Sequence, residues 1–211
     1  MPSQNALRAL EHLRDPSTFQ WTAIPLLVLV TYIYSVEVER RNWNVLLAGL
    51  AFWGMDWFNE IWNALVFHFT GYAPVWGTPG PSAYQILIGL NAEISMMFAY
   101  MGIAAAKSLP RDKSLRVFGV PNRIVVACGF AAACVIVEMF LNAAGYLTWD
   151  YWWWSRRCPV LIFLFGYLHF FLVSFWVHDM ERIESKVRAV AAIFGFDGAC
   201  LLLFGPVLGW I

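Results

Sequence analysis

Six apolar runs, at about 19–36, 43–69, 82–107, 120–147, 158–178 and 188–211, take up nearly the whole chain. Each is near or above the roughly 20 residues that a helix needs to cross ~30 Å of hydrocarbon. Because the runs recur from end to end, they point to one compact membrane domain rather than a soluble domain with an anchor. The composition agrees: of 211 residues, 60% are hydrophobic, 18% aromatic and only 13% charged, against about a quarter charged in an ordinary soluble domain. The expected fold is all-α: a polytopic integral membrane protein, a six-transmembrane-helix bundle over 19–211, preceded by an N-terminal segment, 1–18. In that segment Ala6, Leu7, Leu10 and Leu13 recur at helical spacing among polar residues, the pattern of a short interfacial helix.

Formal net charge is zero, with 14 basic and 14 acidic residues, and no basic patch suggests nucleic acid. Cys128, Cys134, Cys158 and Cys200 form no CxxC pair and read as small packing residues. The connections after the first, third and fifth runs hold Arg40, Arg41, Lys107, Arg111, Lys113, Arg116, Arg123, Arg182, Lys186 and Arg188. The opposite side holds only Arg8, Arg14, Arg156 and Arg157. Since Lys and Arg are retained on the cytoplasmic side, both termini are expected to be non-cytoplasmic. The two long connections on that outer side are aromatic instead of basic: TGYAPVWGTPGPSA at 70–83 and YLTWDYWWWSRR at 146–157. They suit an aromatic belt at the headgroups, or a lid folded over a cavity.

Polar residues inside the runs carry the functional signal, because a charge at the centre of a membrane helix costs about 2.5–3.5 kcal/mol on the insertion scale. Asp56, Glu60 and Asn63 are spaced four and three apart, with Asn59 beside them, in the motif DWFNEIWN. That spacing makes a polar seam on one face of an aromatic helix, flanked by Trp57 and Trp62. Asn91 and Glu93 fall in the third run, Glu138 and Asn142 in the fourth, His169 in the fifth and Asp197 in the last. Counted from the outer helix ends, Glu60, Glu93, Glu138, His169 and Asp197 lie roughly 13 to 21 Å deep at 1.5 Å per residue. They are therefore expected to share one layer. Hydrogen bonding between helices needs only amides and hydroxyls, so several carboxylic acids at one depth point to a polar pocket.

Three functions fit such a pocket. The first is an intramembrane enzyme acting on an apolar isoprenoid, sterol or lipid by proton transfer, with Glu60 as the acid. Asp56 and Asn63 would tune it, and Glu93, Glu138 or Asp197 would receive a proton. The second is a carrier, or a subunit of a larger membrane complex or homo-oligomer, whose acids relay protons. The third is a metal-dependent oxidoreductase holding a divalent ion on Glu60, Glu93, Glu138 and His169; no HxxxH, HxxH or ExxH pair supports it, and no other cofactor is called for. The acids at Glu60 and Asp197, in an aromatic-rich bundle, resemble the integral-membrane terpene cyclases. The resemblance implies a prenyl substrate protonated at the start of an isomerisation or cyclisation; it rests on those two positions, in a family with seven helices.

A topology reporter fused to either terminus is expected to read as non-cytoplasmic. A cytoplasmic signal from both ends would reverse the orientation.

Overall fold

A computed structural model describes residues 1–211, the side chain of Thr18 excepted. Seven helices carry the fold: α1 (Gln4–Glu11), α2 (Ala23–Glu39), α3 (Trp43–Thr70), α4 (Ala92–Lys107), α5 (Asn122–Ala143), α6 (Pro159–Asp179) and α7 (Ile183–Val207). Two short antiparallel hairpins interrupt them, β1 (Gln85–Leu87) with β2 (Leu90–Asn91), and β3 (Arg116–Val117) with β4 (Val120–Pro121).

All-helical character is as expected, but a six-span bundle is not supported. Only α5, α6 and α7 are both long and apolar enough to cross a membrane among the described residues. The 17 residues of α2 and 16 of α4 reach about 26 and 24 Å at 1.5 Å per residue, short of a ~30 Å core. α3 has the length, at 28 residues, yet Asp56, Asn59, Glu60 and Asn63 lower its hydropathy. The third apolar run loses its first ten residues, 82–91, to a loop and the β1–β2 hairpin. Helix α4 then starts where the Asn91 side chain accepts the Ile94 N–H at 2.8 Å, an N-cap.

Helix α3 is the hub, packed against α4, α6 and α7, and more lightly against α2. Small residues make the approach close: a Cβ on Gly102 of α4 would fall 2.8 Å from the Gly49 carbonyl oxygen of α3. Polar bonds fix the crossings, Ser174 Oγ donating to Ala48 O at 2.9 Å and Trp53 Nε1 to Ser95 Oγ at 2.9 Å. Gly71, at φ +57, ends α3 in the left-handed conformation, its N–H donating to Phe67 O. Of the three long apolar helices α7 is the least buried in the protein, and its exposed apolar side chains, among them Val187, Phe196, Leu202 and Val207, suit an apolar surrounding.

The two ends of the bundle differ in chemistry. At the basic end, buried Glu37 pairs with Lys107 at 2.5 Å and accepts from Asn42 at 2.7 Å. Arg123 grips Asp179 through two bonds of 2.8 and 3.0 Å, joining α5 to α6. Lys186 is buried and donates to the last carbonyls of α6, Val177 and His178. At the other end, α1, residues 71–91, residues 144–158 and the C-terminus interlock. Gly77 and Thr148 exchange backbone bonds of 3.1 and 2.9 Å, Ser3 and Asn5 donate to Asp150, and Arg14 donates to the Ile86 and Ile211 carbonyls. Helix α1 buries Ala6 and Ala9 in this layer and leaves Leu7 and Leu10 exposed.

Lys107→Met strands the Glu37 carboxylate and is expected to lower thermal stability in detergent by about 1–3 kcal/mol. Glu37→Gln, which keeps a partner for Asn42, is expected to lose less.

Candidate functional site

The seam on α3 is built as its spacing requires: Asp56, Asn59, Glu60 and Asn63 are all buried. Asn63 is the anchor of the site. Its Oδ1 accepts from the backbone N–H groups of Val75 at 2.7 Å and Trp76 at 3.2 Å, and its Nδ2 donates to Trp76 O at 2.8 Å. One amide side chain thus satisfies three backbone groups of the 71–91 loop and holds it against the helix. So placed, Trp76 donates its indole N–H to Glu60 Oε1 at 2.8 Å, leaving Glu60 Oε2 buried with no hydrogen-bond partner.

Gly89, at the turn of the β1–β2 hairpin, completes this contact. A Cβ there would lie 2.7 Å from both Glu60 Oε2 and Trp76 Nε1, and would also strike Asn63. Glycine is required for room at this position, not for a special backbone angle.

From the other wall, Glu138 of α5 accepts from Trp149 Nε1 at 3.1 Å, and Tyr167 of α6 lines the same cavity. The second aromatic loop also contributes Trp154, stacked on Trp76 with ring centroids 5.4 Å apart. In α6, Ile162–Leu168 is wound as a π-helix. Asn59 donates to the Phe165 carbonyl at 2.9 Å, and its Oδ1 lies 3.3 Å from His169 Nε2. A polar residue of α3 thereby steadies an irregular turn, a type often found at functional sites.

These groups surround a cavity of about 610 Å³, within the range of sites that enclose a small organic molecule. Asp56, Asn59 and Glu60 of α3 and Glu138 of α5 line it, with Trp76, Leu147 and Trp154 of the lid, and apolar side chains of α2, α4, α5 and α6 supply the rest. No Lys, Arg or His belongs to its lining. The two aromatic loops therefore do close over a cavity, and three of the five acids singled out from the sequence meet in it.

The others do not. Glu93 sits in the first turn of α4, accepting from Thr22 Oγ1 at 3.1 Å and the Ala83 N–H at 2.7 Å, so it fastens the loop before that helix. Its expected depth assumed a helix from residue 82. Asp197 lies on α7, buried, with both carboxylate oxygens unpartnered; it is within electrostatic reach of Asp56 but outside the cavity lining. Asn91 caps α4. Asn142 ties the end of α5 to the Leu147 carbonyl and to Arg156. Trp57 packs beside Ile61, Leu87 and Leu90, and half-exposed Trp62 leans on Trp76 at 6.0 Å. Glu60, Glu93, Glu138 and His169 are not brought together, and among the described residues no group of three His, Cys, Asp or Glu is placed to hold a metal.

Tyr167 and Gly89 carry the site without having stood out in the sequence. Tyr167 is one aromatic among many in its helix, with nothing to mark it. Gly89 was legible in principle, since QILIGLN has the β-branched residues and glycine of a short hairpin.

A buried polar site inside a bundle with apolar outer surface defines a membrane protein, and the comparisons agree. The chain belongs to a family described as an uncharacterized membrane protein family, whose model matches residues 3–206. A protein of Archaeoglobus fulgidus, described as an uncharacterized protein, is 56% identical over 211 residues, covering the whole of both chains. Another of the same description and organism is 53% identical over 53 residues, 25% of this chain and 95% of the relative. No solved structure matches the chain.

Gly89→Ala is expected to push the hairpin off Glu60 and to destabilise the protein by roughly 1–3 kcal/mol, the usual range for overpacking. The fluorescence of Trp76, read against a Trp76→Phe control, reports the displacement; an unchanged spectrum and melting temperature would contradict the close fit.

Proposed function

We propose that the protein is an intramembrane enzyme that binds an apolar, lipid-like molecule in the cavity and moves a proton to and from it with carboxylic acids. One observation carries this reading. Glu60 and Asp56 from α3 and Glu138 from α5 line a single apolar cavity with no cation among the lining residues. Two carboxyl groups on facing walls of one cavity can serve as acid and base, one donating a proton to the bound molecule and the other accepting one.

Glu60, whose side chain lines the cavity, is the proton donor. The π pair of a carbon–carbon double bond takes the proton and forms a C–H bond, leaving a Glu60 carboxylate and a carbocation. The ring faces of Trp76, Trp154, Tyr167 and Phe170, all in the lining, stabilise that positive charge by about 0.5–2 kcal/mol each. Glu138 then takes a proton from a carbon next to the cation, and that C–H pair restores a double bond. The product is an isomer or a ring-closed form of the substrate, with the same atoms. Exchange with water returns Glu138 to the carboxylate and Glu60 to the acid.

A second reading, a carrier or complex subunit in which the acids relay protons, has Asp197 in its favour. This acid stands outside the cavity, unpartnered, beside Asp56. The two readings differ in what Asp197→Asn does: proton relay requires that acid, while chemistry at Glu60 survives its loss.

Turnover in deuterated water is the test, because it needs no named substrate. Membranes containing the protein, incubated with their own lipid extract, are expected to place deuterium on carbon in one lipid class. Glu60→Gln is expected to cut that incorporation at least about 100-fold, the usual weight of a general acid, without changing the melting temperature by more than a few degrees. Full incorporation by Glu60→Gln would overturn the assignment.

A further inference from the structure

We infer that the cavity takes an uncharged, unsaturated lipid that enters sideways from the bilayer, through a gap between α4 and α5. The inference rests on the cavity being the working site and concerns what occupies it and by which route.

The route follows from which walls are closed. The lid end is laced by the Gly77–Thr148 backbone pair, by the three bonds of Asn63 and by Tyr151, whose hydroxyl donates to Ala73 O at 2.9 Å. Helices α3 and α6 close another side by direct packing. Helices α4 and α5 touch toward the basic end, where Cys134 Sγ donates to Met101 Sδ at 3.3 Å, and on the lid side of that contact their backbones stand apart. Met97 and Tyr100 of α4 and Val137 and Leu141 of α5 line the cavity and are exposed on the outer surface as well. A side chain that is wall and surface together marks an opening, and this one faces outward between apolar helices. Ala133, small, exposed and in the lining, stands at its inner edge.

The charge of the ligand follows from the lining. An anionic head, a phosphate or a carboxylate, would find no Lys or Arg among the lining residues to pair with, and a buried charge without a partner is strongly disfavoured. The ligand's reacting end is therefore uncharged. Unsaturation follows from the chemistry above, since a saturated chain offers a carboxylic acid no electron pair to protonate.

The full chain in lipid nanodiscs, with two photoreactive probes, tests this. One is a long-chain unsaturated alcohol bearing a diazirine and an alkyne; the other is the same chain ending in a sulfonate. The alcohol is expected to label peptides of α4 and α5 about tenfold more than the sulfonate. Ala133→Trp, which plugs the gap, is expected to abolish that labelling. Ile136→Trp, on the same helix, exposed and outside the lining, is expected to leave it intact. Equal labelling by the two probes, or the same response from both tryptophan variants, would overturn the inference. Glu60→Gln separates the two claims: labelling kept with deuterium lost supports both, selective labelling with no deuterium in the native protein defeats only the proton chemistry, and deuterium without selective labelling defeats only the neutral lipid and its route.

Discussion

The three hydrogen bonds made by Asn63 hold the rest of the site in place. An amide buried in an apolar bundle is costly unless its oxygen and nitrogen are both used. Here they are used on the backbone of residues 75 and 76, so a surface loop becomes part of the interior. Trp76 reaches Glu60 only because its backbone is held, and Gly89 and Trp154 close around the pair. Loops normally lie on a surface because their backbone groups need partners. A single side chain of α3 removes that obstacle.

Polar groups elsewhere in the protein divide according to whether their bonds are complete. Glu37, Arg123, Asp179 and Lys186 at the basic end are each paired or capping, and they join helices. Glu93, Asn91 and Asn142 fasten helix ends and loops at the lid end, though Glu93 keeps one unpartnered oxygen. In and beside the cavity, Glu60 Oε2, Asp56 Oδ2, both oxygens of Asp197 and the Trp154 indole N–H remain without partners. The carboxyl oxygens left without partners there thus lie on α3 and on the α7 helix packed against it.

Much of this was legible along the chain, and the reason is periodic. The steps of four and three from Asp56 to Glu60 to Asn63 put the seam on one helix face whatever that helix packs against. The aromatic loops were legible as a lid or a belt from composition alone, with the choice between them left open. Depth was not legible for Glu93, since it depended on a helix start that the β1–β2 hairpin displaced by ten residues. The number of candidate spans failed likewise: the apolar runs at 19–36 and 82–107 contained helices of 17 and 16 residues, and in the second the hairpin and the Asn91 cap, not hydropathy, decide where the helix begins.

By itself the sequence determined that the chain is helical and apolar on its outside, and that its acids cluster by helix face, since those properties depend on residue type and on 3.6-residue spacing. Only the tertiary structure decided which acids meet. Glu60 and Glu138 come from helices that share a cavity, Asp197 from a helix packed behind α3, and Glu93 from the end of one. Partner choice between helices depends on where small residues permit close approach and where loops fold back, and neither is written at a fixed spacing.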